Sequence, residues 1–91
     1  MGARITIRRP DEAELQRLGI EHWPIWSKGP SIFPWSYDTR ETSYIVEGRV
    51  IVTPDGGEPL EIGVGDLASF PAGLSCTWDI REPLRKHYHI D

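Results

Sequence analysis

The sequence predicts an all-β protein, a small sandwich or barrel of short antiparallel strands with one short helix near its N-terminus. Three observations carry this expectation. From residue 24 onward the chain is interrupted every few residues by breakers, among them Pro24, Gly29-Pro30, Pro34, Gly48, Gly65-Asp66, Pro71, Gly73 and Pro83, and long helices do not fit between them. The intervals are rich in β-branched and aromatic residues, and several alternate with period two. The stretch VTPDGGEPLEI reads as a hairpin, because Asp55-Gly56-Gly57 accepts positive φ between two apolar runs.

Taken in order, Arg4 to Arg8 alternates and places Ile5 and Ile7 on one face of a first strand. Pro10, Asp11 and Glu14 then open the helix with an Asp-x-x-Glu spacing similar to a capping box; Leu15 and Leu18 dock it and Gly19 ends it. Strands follow at Thr42 to Glu47, Arg49 to Thr53, Pro59 to Ile62, Leu67 to Phe70, Ser75 to Ile80 and Leu84 to Ile90. Closing such strands into a barrel removes edges that invite aggregation. With no internal boundary, repeat or low-complexity tract, residues 1–91 read as a single domain. A chain this short buries only about 60 to 65% of its unfolded surface, which excludes large multi-part catalytic machinery.

Ten Lys and Arg against fourteen Asp and Glu give a formal net charge of −4. No broad positive field exists to collect phosphates, so neither nucleic acid nor an anionic membrane surface is an expected partner. Arg81, Arg85 and Lys86, interleaved with Glu82 and Pro83, read as a solvated strand edge. No apolar run approaches the ~20 residues of a membrane helix, and MGARITIRRP lacks the apolar core of a signal peptide. The single cysteine, Cys76, cannot form an internal disulfide. A cytoplasmic, reducing setting is expected.

Two spacings are more specific. Glu41 is followed by six residues and then Gly48, and Gly65 is followed by five residues, Pro71, one residue and Gly73. In that order, with a hairpin between, they resemble the two motifs of the cupins, G-x(5)-H-x-H-x(3 or 4)-E-x(6)-G and G-x(5)-P-x-G-x(2)-H-x(3)-N. The resemblance implies a jelly-roll β-barrel. In most cupins three histidines and a glutamate hold a divalent metal inside it. Here the histidine positions fall on Trp35, Tyr37 and Cys76, the final Asn position falls on Ile80, and Glu41 alone keeps a common ligand type. An indole N–H cannot ligate, and one carboxylate with one thiolate is too few for firmly held zinc. No cofactor is therefore expected; a divalent metal such as zinc or manganese, held by Glu41, Cys76 and His87, is the lesser alternative.

The longer pattern W-x-Y-x(3)-E-T-x-Y-I-x-E-G, with F-P-x-G-L-x-C-x-W and a closing R-K-H-Y, is similar to small single-domain cupins related to (S)-ureidoglycine aminohydrolase. That enzyme, a chain of two cupin domains, releases ammonia from a ureido compound with bound manganese; because its metal ligands are not reproduced at these positions, the resemblance implies shared ancestry more than shared activity.

Strand alternation groups Leu74, Cys76, Trp78 and Ile80 on one face, and Glu41, Ser43 and Ile45 on another. The expected interior is a ligand-binding pocket of Trp35, Tyr37, Glu41, Cys76, Trp78 and, if the last strand faces inward, His87. Aromatic walls with a few polar tips suit a small polar organic molecule. Each residue also has a packing role open to it: Trp35 and Trp78 as core filler, Cys76 as an inert apolar group, His87 and His89 as surface imidazoles. The enzyme alternative is a hydrolase or isomerase with Glu41 as acid or base and Cys76 as nucleophile or ligand. The third is a structural or regulatory dimer with a packed interior. Trp23, Trp26, Phe33 and Trp35 are too apolar a run to leave in water, so a homodimer is expected through a strand edge or this patch.

Overall fold

The structure, a computed structural model, describes residues 4–91. It consists of β1 (Thr6–Arg8), α1 (Glu12–Leu18), a 3-10 turn (Ile20–His22), β2 (Ile25–Lys28), β3 (Ser31–Ser36), β4 (Glu41–Pro54), β5 (Leu60–Gly63), β6 (Leu67–Phe70) and β7 (Ser75–Ile90). The expected all-β jelly roll with one short helix is present.

Two strands of 14 and 16 residues, β4 and β7, form its frame. They pair antiparallel from Glu41 opposite Ile90 to Pro54 opposite Cys76. The separate strands expected at 42–47 and 49–53 are thus one bent strand, as are those at 75–80 and 84–90. Gly48 and Pro83 mark bends within strands, and here they do not end them. Register slips between Ile45 and Val50 place the corner. Gly48 sits there at φ +86, and a Cβ on it would overlap the Pro83 carbonyl oxygen and lie 2.8 Å from that of Glu82.

Beyond the corner each long strand takes new neighbours. On one arm β6 pairs Glu41 to Tyr44, β2 pairs Leu84 to His87, and β1 extends β6. On the other arm β5 pairs Arg49 to Val52 and β3 pairs Ser75 to Ile80. The arms fold over one core of Ile45, Val50, Val52, Ile62, Phe70, Trp78 and Leu84 with their neighbours, where each fully buried aliphatic side chain contributes about 1.5–3 kcal/mol. The ladder does not close into a ring. β1, β2, β3 and β5 each keep one free edge among the described residues, and Pro34 within β3 blunts one of them.

Strands β2 and β3 have no counterpart in the sequence reading. IWSK is too short to show alternation and SIFPWS carries a proline, so both read as aromatic cover. Around the helix, Asp11 caps α1 by accepting the Glu14 N–H at 2.9 Å, and Gly19 closes it at φ 68. Docking differs from expectation. No residue of α1 is buried and Leu18 is exposed; Ile20, in the following turn, supplies the anchor. Ile5 is buried but Ile7 is exposed, because β1 begins only at Thr6 and lies at the rim. The Gly65-Asp66 turn is held by Asp66, which accepts the Gly63 N–H at 2.8 Å and an Arg9 N–H at 3.2 Å.

Gly48→Ala is expected to cost about 3 kcal/mol, since strain at positive φ and overlap with rigid backbone act together. Urea denaturation of the variant against the parent measures it, and a change within 0.5 kcal/mol, the range of ordinary surface substitutions, would show that the corner relaxes freely.

Candidate functional site

Alternation along β7 sends Cys76, Trp78 and Ile80 inward, in line with Leu74 just before it, and beyond the corner it does the same to Leu84 and Lys86. Lys86 is 6% exposed. Its Nζ lies 3.0 Å from Glu41 Oε2, with side chains only 7% and 13% exposed respectively. Ser43, wholly buried, donates its hydroxyl to the same carboxylate oxygen at 3.2 Å. The ammonium also stands over two indoles, 4.6 Å from the Trp78 ring and 5.1 Å from that of Trp26. Burial lowers the Lys86 pKa, and the attraction and hydrogen bond of Glu41 oppose it.

Beside this pair stands Tyr37, held after β3 by its N–H to the Leu74 carbonyl at 2.9 Å and its carbonyl to the Gly73 N–H at 2.7 Å. Its ring stacks on Phe70 at 5.0 Å and 3°. Burial pushes the phenol pKa far up, and the charge of Glu41 adds to this. Among the described residues, two buried side-chain atoms, Tyr37 Oη and Trp78 Nε1, have no hydrogen-bond partner. The Trp78 N–H is near enough to favour the anions of Tyr37 and Cys76, yet it is not aligned as a bond to either. Unsatisfied buried donors are uncommon in native proteins and call for an occupant.

The aromatics form the wall of the mouth. Phe33 stacks on Trp78 at 6.2 Å, Trp26 meets Trp78 edge-on at 6.2 Å, and Trp35 meets Phe33 edge-on at 6.4 Å. A cleft of about 20 Å³ lies among these rings, Tyr37 and Lys86, and a second of about 60 Å³ lies between Trp26, Glu41, Lys86 and Tyr88. A single water needs roughly 10–15 Å³ and a drug-sized ligand roughly 300 Å³ or more. Only water or a molecule of a few heavy atoms fits while Trp26, which borders both clefts, stays in place.

Of the expected site residues, Tyr37, Glu41 and Trp78 meet around Lys86. Cys76 is buried close by; its thiol donates to the Trp35 carbonyl at 3.6 Å, and burial raises its pKa. Trp35 lies directly across from Cys76 but at the rim, 49% exposed. His87 belongs elsewhere. Having the opposite parity to Lys86, it projects from the outer face, where Nδ1 lies 3.0 Å from the Trp23 carbonyl in a groove under α1. The expected set of Glu41, Cys76 and His87 is therefore split by the sheet, and among the described residues no three His, Cys, Asp or Glu side chains gather closely enough to hold a metal ion. The residues at the cupin ligand positions do not fit a metal either, since Glu41 already faces an ammonium.

Lys86 itself was read as part of a solvated basic edge, and the structure overturns this. The alternation running from Leu84 to Lys86 carried the signal, but neighbouring Arg81 and Arg85, both exposed, masked it.

Two predictions follow from the pair and the orphaned hydroxyl. Lys86→Met or Glu41→Leu alone should cost about 3–5 kcal/mol by stranding a buried charge, whereas the double variant should recover most of the loss. Equal and additive losses in a double-mutant cycle would contradict this coupling. Tyr37→Phe should be neutral or stabilising by about 1 kcal/mol. Because the folded phenol pKa is raised above its ordinary 10.0, Tyr37 contributes stability present below pH 10 and lost as pH rises above it. The Phe variant should accordingly lose less stability between pH 9 and 11 in chemical denaturation.

With the geometry in view, similarity to known proteins can be set beside it. Residues 15–88 match the family model of the EutQ-like cupin domain. The fold superimposes on a DUF861-family protein of Thermotoga maritima with a TM-score of 0.95 and 48% identity, covering 97% of this chain and all of that one. The Clostridium difficile EutQ protein gives a TM-score of 0.66 at 20% identity over 72% of this chain, which spans 52% of that protein's length. A protein of unknown function from Acidithiobacillus ferrooxidans gives 0.67 at 23%, over 69% of this chain and 60% of that one. No functionally curated protein matches the sequence. Family match, near-complete superposition and the two glycine-anchored corners agree: the chain belongs to the EutQ-like cupin family.

Proposed function

We propose that the protein binds a small polar organic molecule at the mouth of the jelly roll, beside the Lys86 ammonium, which meets Glu41, the residue at the cupin ligand position. The observation that carries the reading is the pair of unpartnered donors, Tyr37 O–H and Trp78 N–H, beside a buried Lys86–Glu41 pair. Glu41 Oε2 already accepts from both Lys86 and Ser43, while Tyr37 O–H and Trp78 N–H engage no partner among the described residues, so donor capacity is free beside the pair. It suits an acceptor-rich ligand, namely a small carboxylate or an amide or ureido carbonyl. The motif resemblance to ureidoglycine aminohydrolase supports the ureido class. A hydrolase or isomerase using Glu41 is the catalytic form of this reading; the raised pKa of Cys76 speaks against a thiolate nucleophile.

The small clefts support a competing reading, a packed interior that serves only structure. Self-association of two copies is part of either reading, and the free edge of β3, where Ile32 is 70% exposed, is the place for it. Sedimentation at several concentrations tests that, with a monomer at all of them against it. The single free thiol suits a cytoplasmic setting.

Thermal-shift screening with acetate, glycolate, urea and small amides tests the ligand reading. A binder should raise the midpoint with concentration as mass action requires, and Lys86→Met should abolish the response. No shift with any of them at concentrations of about 10 mM, well above a weak Kd near 1 mM, would leave the packed interior as the better account.

A further inference from the structure

Lys86 is nucleophilic by type, and so far it has served only as a counter-charge. Its surroundings are those of a reactive amine. Of its three N–H directions one meets Glu41 at 3.0 Å, and indole faces occupy the neighbourhood of the others. Both clefts at the mouth border on it. Tyr37 and Trp78, whose O–H and N–H are buried without a partner among the described residues, both line the inner cleft. A purely structural ion pair explains none of the last three features, and buried pairs are often replaceable by apolar residues without loss of stability.

We propose that Lys86 condenses reversibly with a small aldehyde or 2-oxo acid to form an imine, with Glu41 carrying the proton. The proposal rests on the mouth being a ligand site. The Lys86 ammonium first passes a proton to Glu41, and the freed lone pair forms the N–C bond while the carbonyl π pair moves to oxygen. Tyr37 O–H and Trp78 N–H are the donors available to that oxygen, and they act without reorganising because nothing else engages them. A second nitrogen proton moves to the oxygen, giving the carbinolamine. Glu41 then returns its proton to the hydroxyl, the C–O bond breaks, and water departs. One ammonium and one carbonyl yield one protonated imine and one water, with the Glu41 carboxylate restored and no oxidant or reductant consumed. Burial, by lowering the Lys86 pKa, favours the free amine this requires.

The chain supplies its own control, since its only other lysine, Lys28, is exposed. The intact protein is incubated with glyoxylate and sodium cyanoborohydride, which reduces protonated imines, and the adducts are located by peptide mass spectrometry over time. Lys86 should be modified several-fold faster than Lys28 or the terminal amine, and glycolate, which has no carbonyl to condense, should slow Lys86 selectively. Lys28→Arg should leave the Lys86 adduct intact, and Lys86→Arg, which keeps a cation beside Glu41, should lose it while Lys28 still reacts. Modification of Lys28 or the terminus as fast as Lys86 in the native protein overturns the proposal, whether or not the Lys86 variant folds. If glycolate raises the melting midpoint while Lys86 stays unmodified, the imine chemistry fails and the ligand site stands. If neither occurs, the imine chemistry fails, and the ligand site fails with it when acetate, urea and the small amides give no shift either.

Discussion

The close passage of Gly48 against Pro83 is the constraint on which the rest of the molecule depends. Glu41 and Cys76 begin β4 and β7 and lie at opposite ends of the ribbon those strands form. A straight ribbon would hold them a strand's length apart. The corner folds one arm over the other, so that Glu41, Ser43 and Lys86 from the first arm face Tyr37, Cys76 and Trp78 from the second. Only a residue without a side chain lets the two backbones touch at that point, with φ at +86. The same geometry gives the core its thickness and the site its two halves.

Inside that enclosure protein groups of opposite charge meet, Lys86 Nζ 3.0 Å from Glu41 Oε2. A lone carboxylate at Glu41 would carry a desolvation cost of several kcal/mol, and so would a lone ammonium at Lys86. Together, with the Ser43 hydroxyl and two indole faces, each becomes tolerable. In the proposed reading the lysine supplies the positive charge that a divalent ion supplies in metal-binding cupins. It differs in being a donor with a transferable proton, where a metal is a Lewis acid with open coordination positions. The chemistry proposed for this site accordingly uses proton movement and amine reactivity.

Much of the fold was legible because cupin corners are written in glycine and proline spacing, which is local. Gly48, Gly65 and Gly73 could be recognised from sequence, and the strand at Leu67 to Phe70 has the limits expected of it. What spacing could not convey was continuity. A breaker in a strand looks the same whether the chain ends there or bends, so four short strands were expected where two long ones run. Strands β2 and β3 were hidden for a different reason, as their hydrogen bonds are satisfied by β7, remote in sequence, and their own side chains are largely exposed. The site was legible by halves. Tyr37, Glu41 and Trp78 follow from motif position and parity, but Lys86 was lost to its basic neighbours, and His87, expected in the pocket only if the last strand turned it inward, lies on the outer face because its parity is opposite to that of Lys86.

The position of Trp26 carries a consequence for exchange with solvent. It stands on β2, a four-residue strand whose sole ladder partner is β7. Fraying of so short a rim segment is among the lowest-energy openings available to a small domain. Since that indole walls both clefts, detaching β2 would join them and unroof the amine at the cost of the contact Trp26 makes with the core, leaving the pairing of β4 with β7 in place.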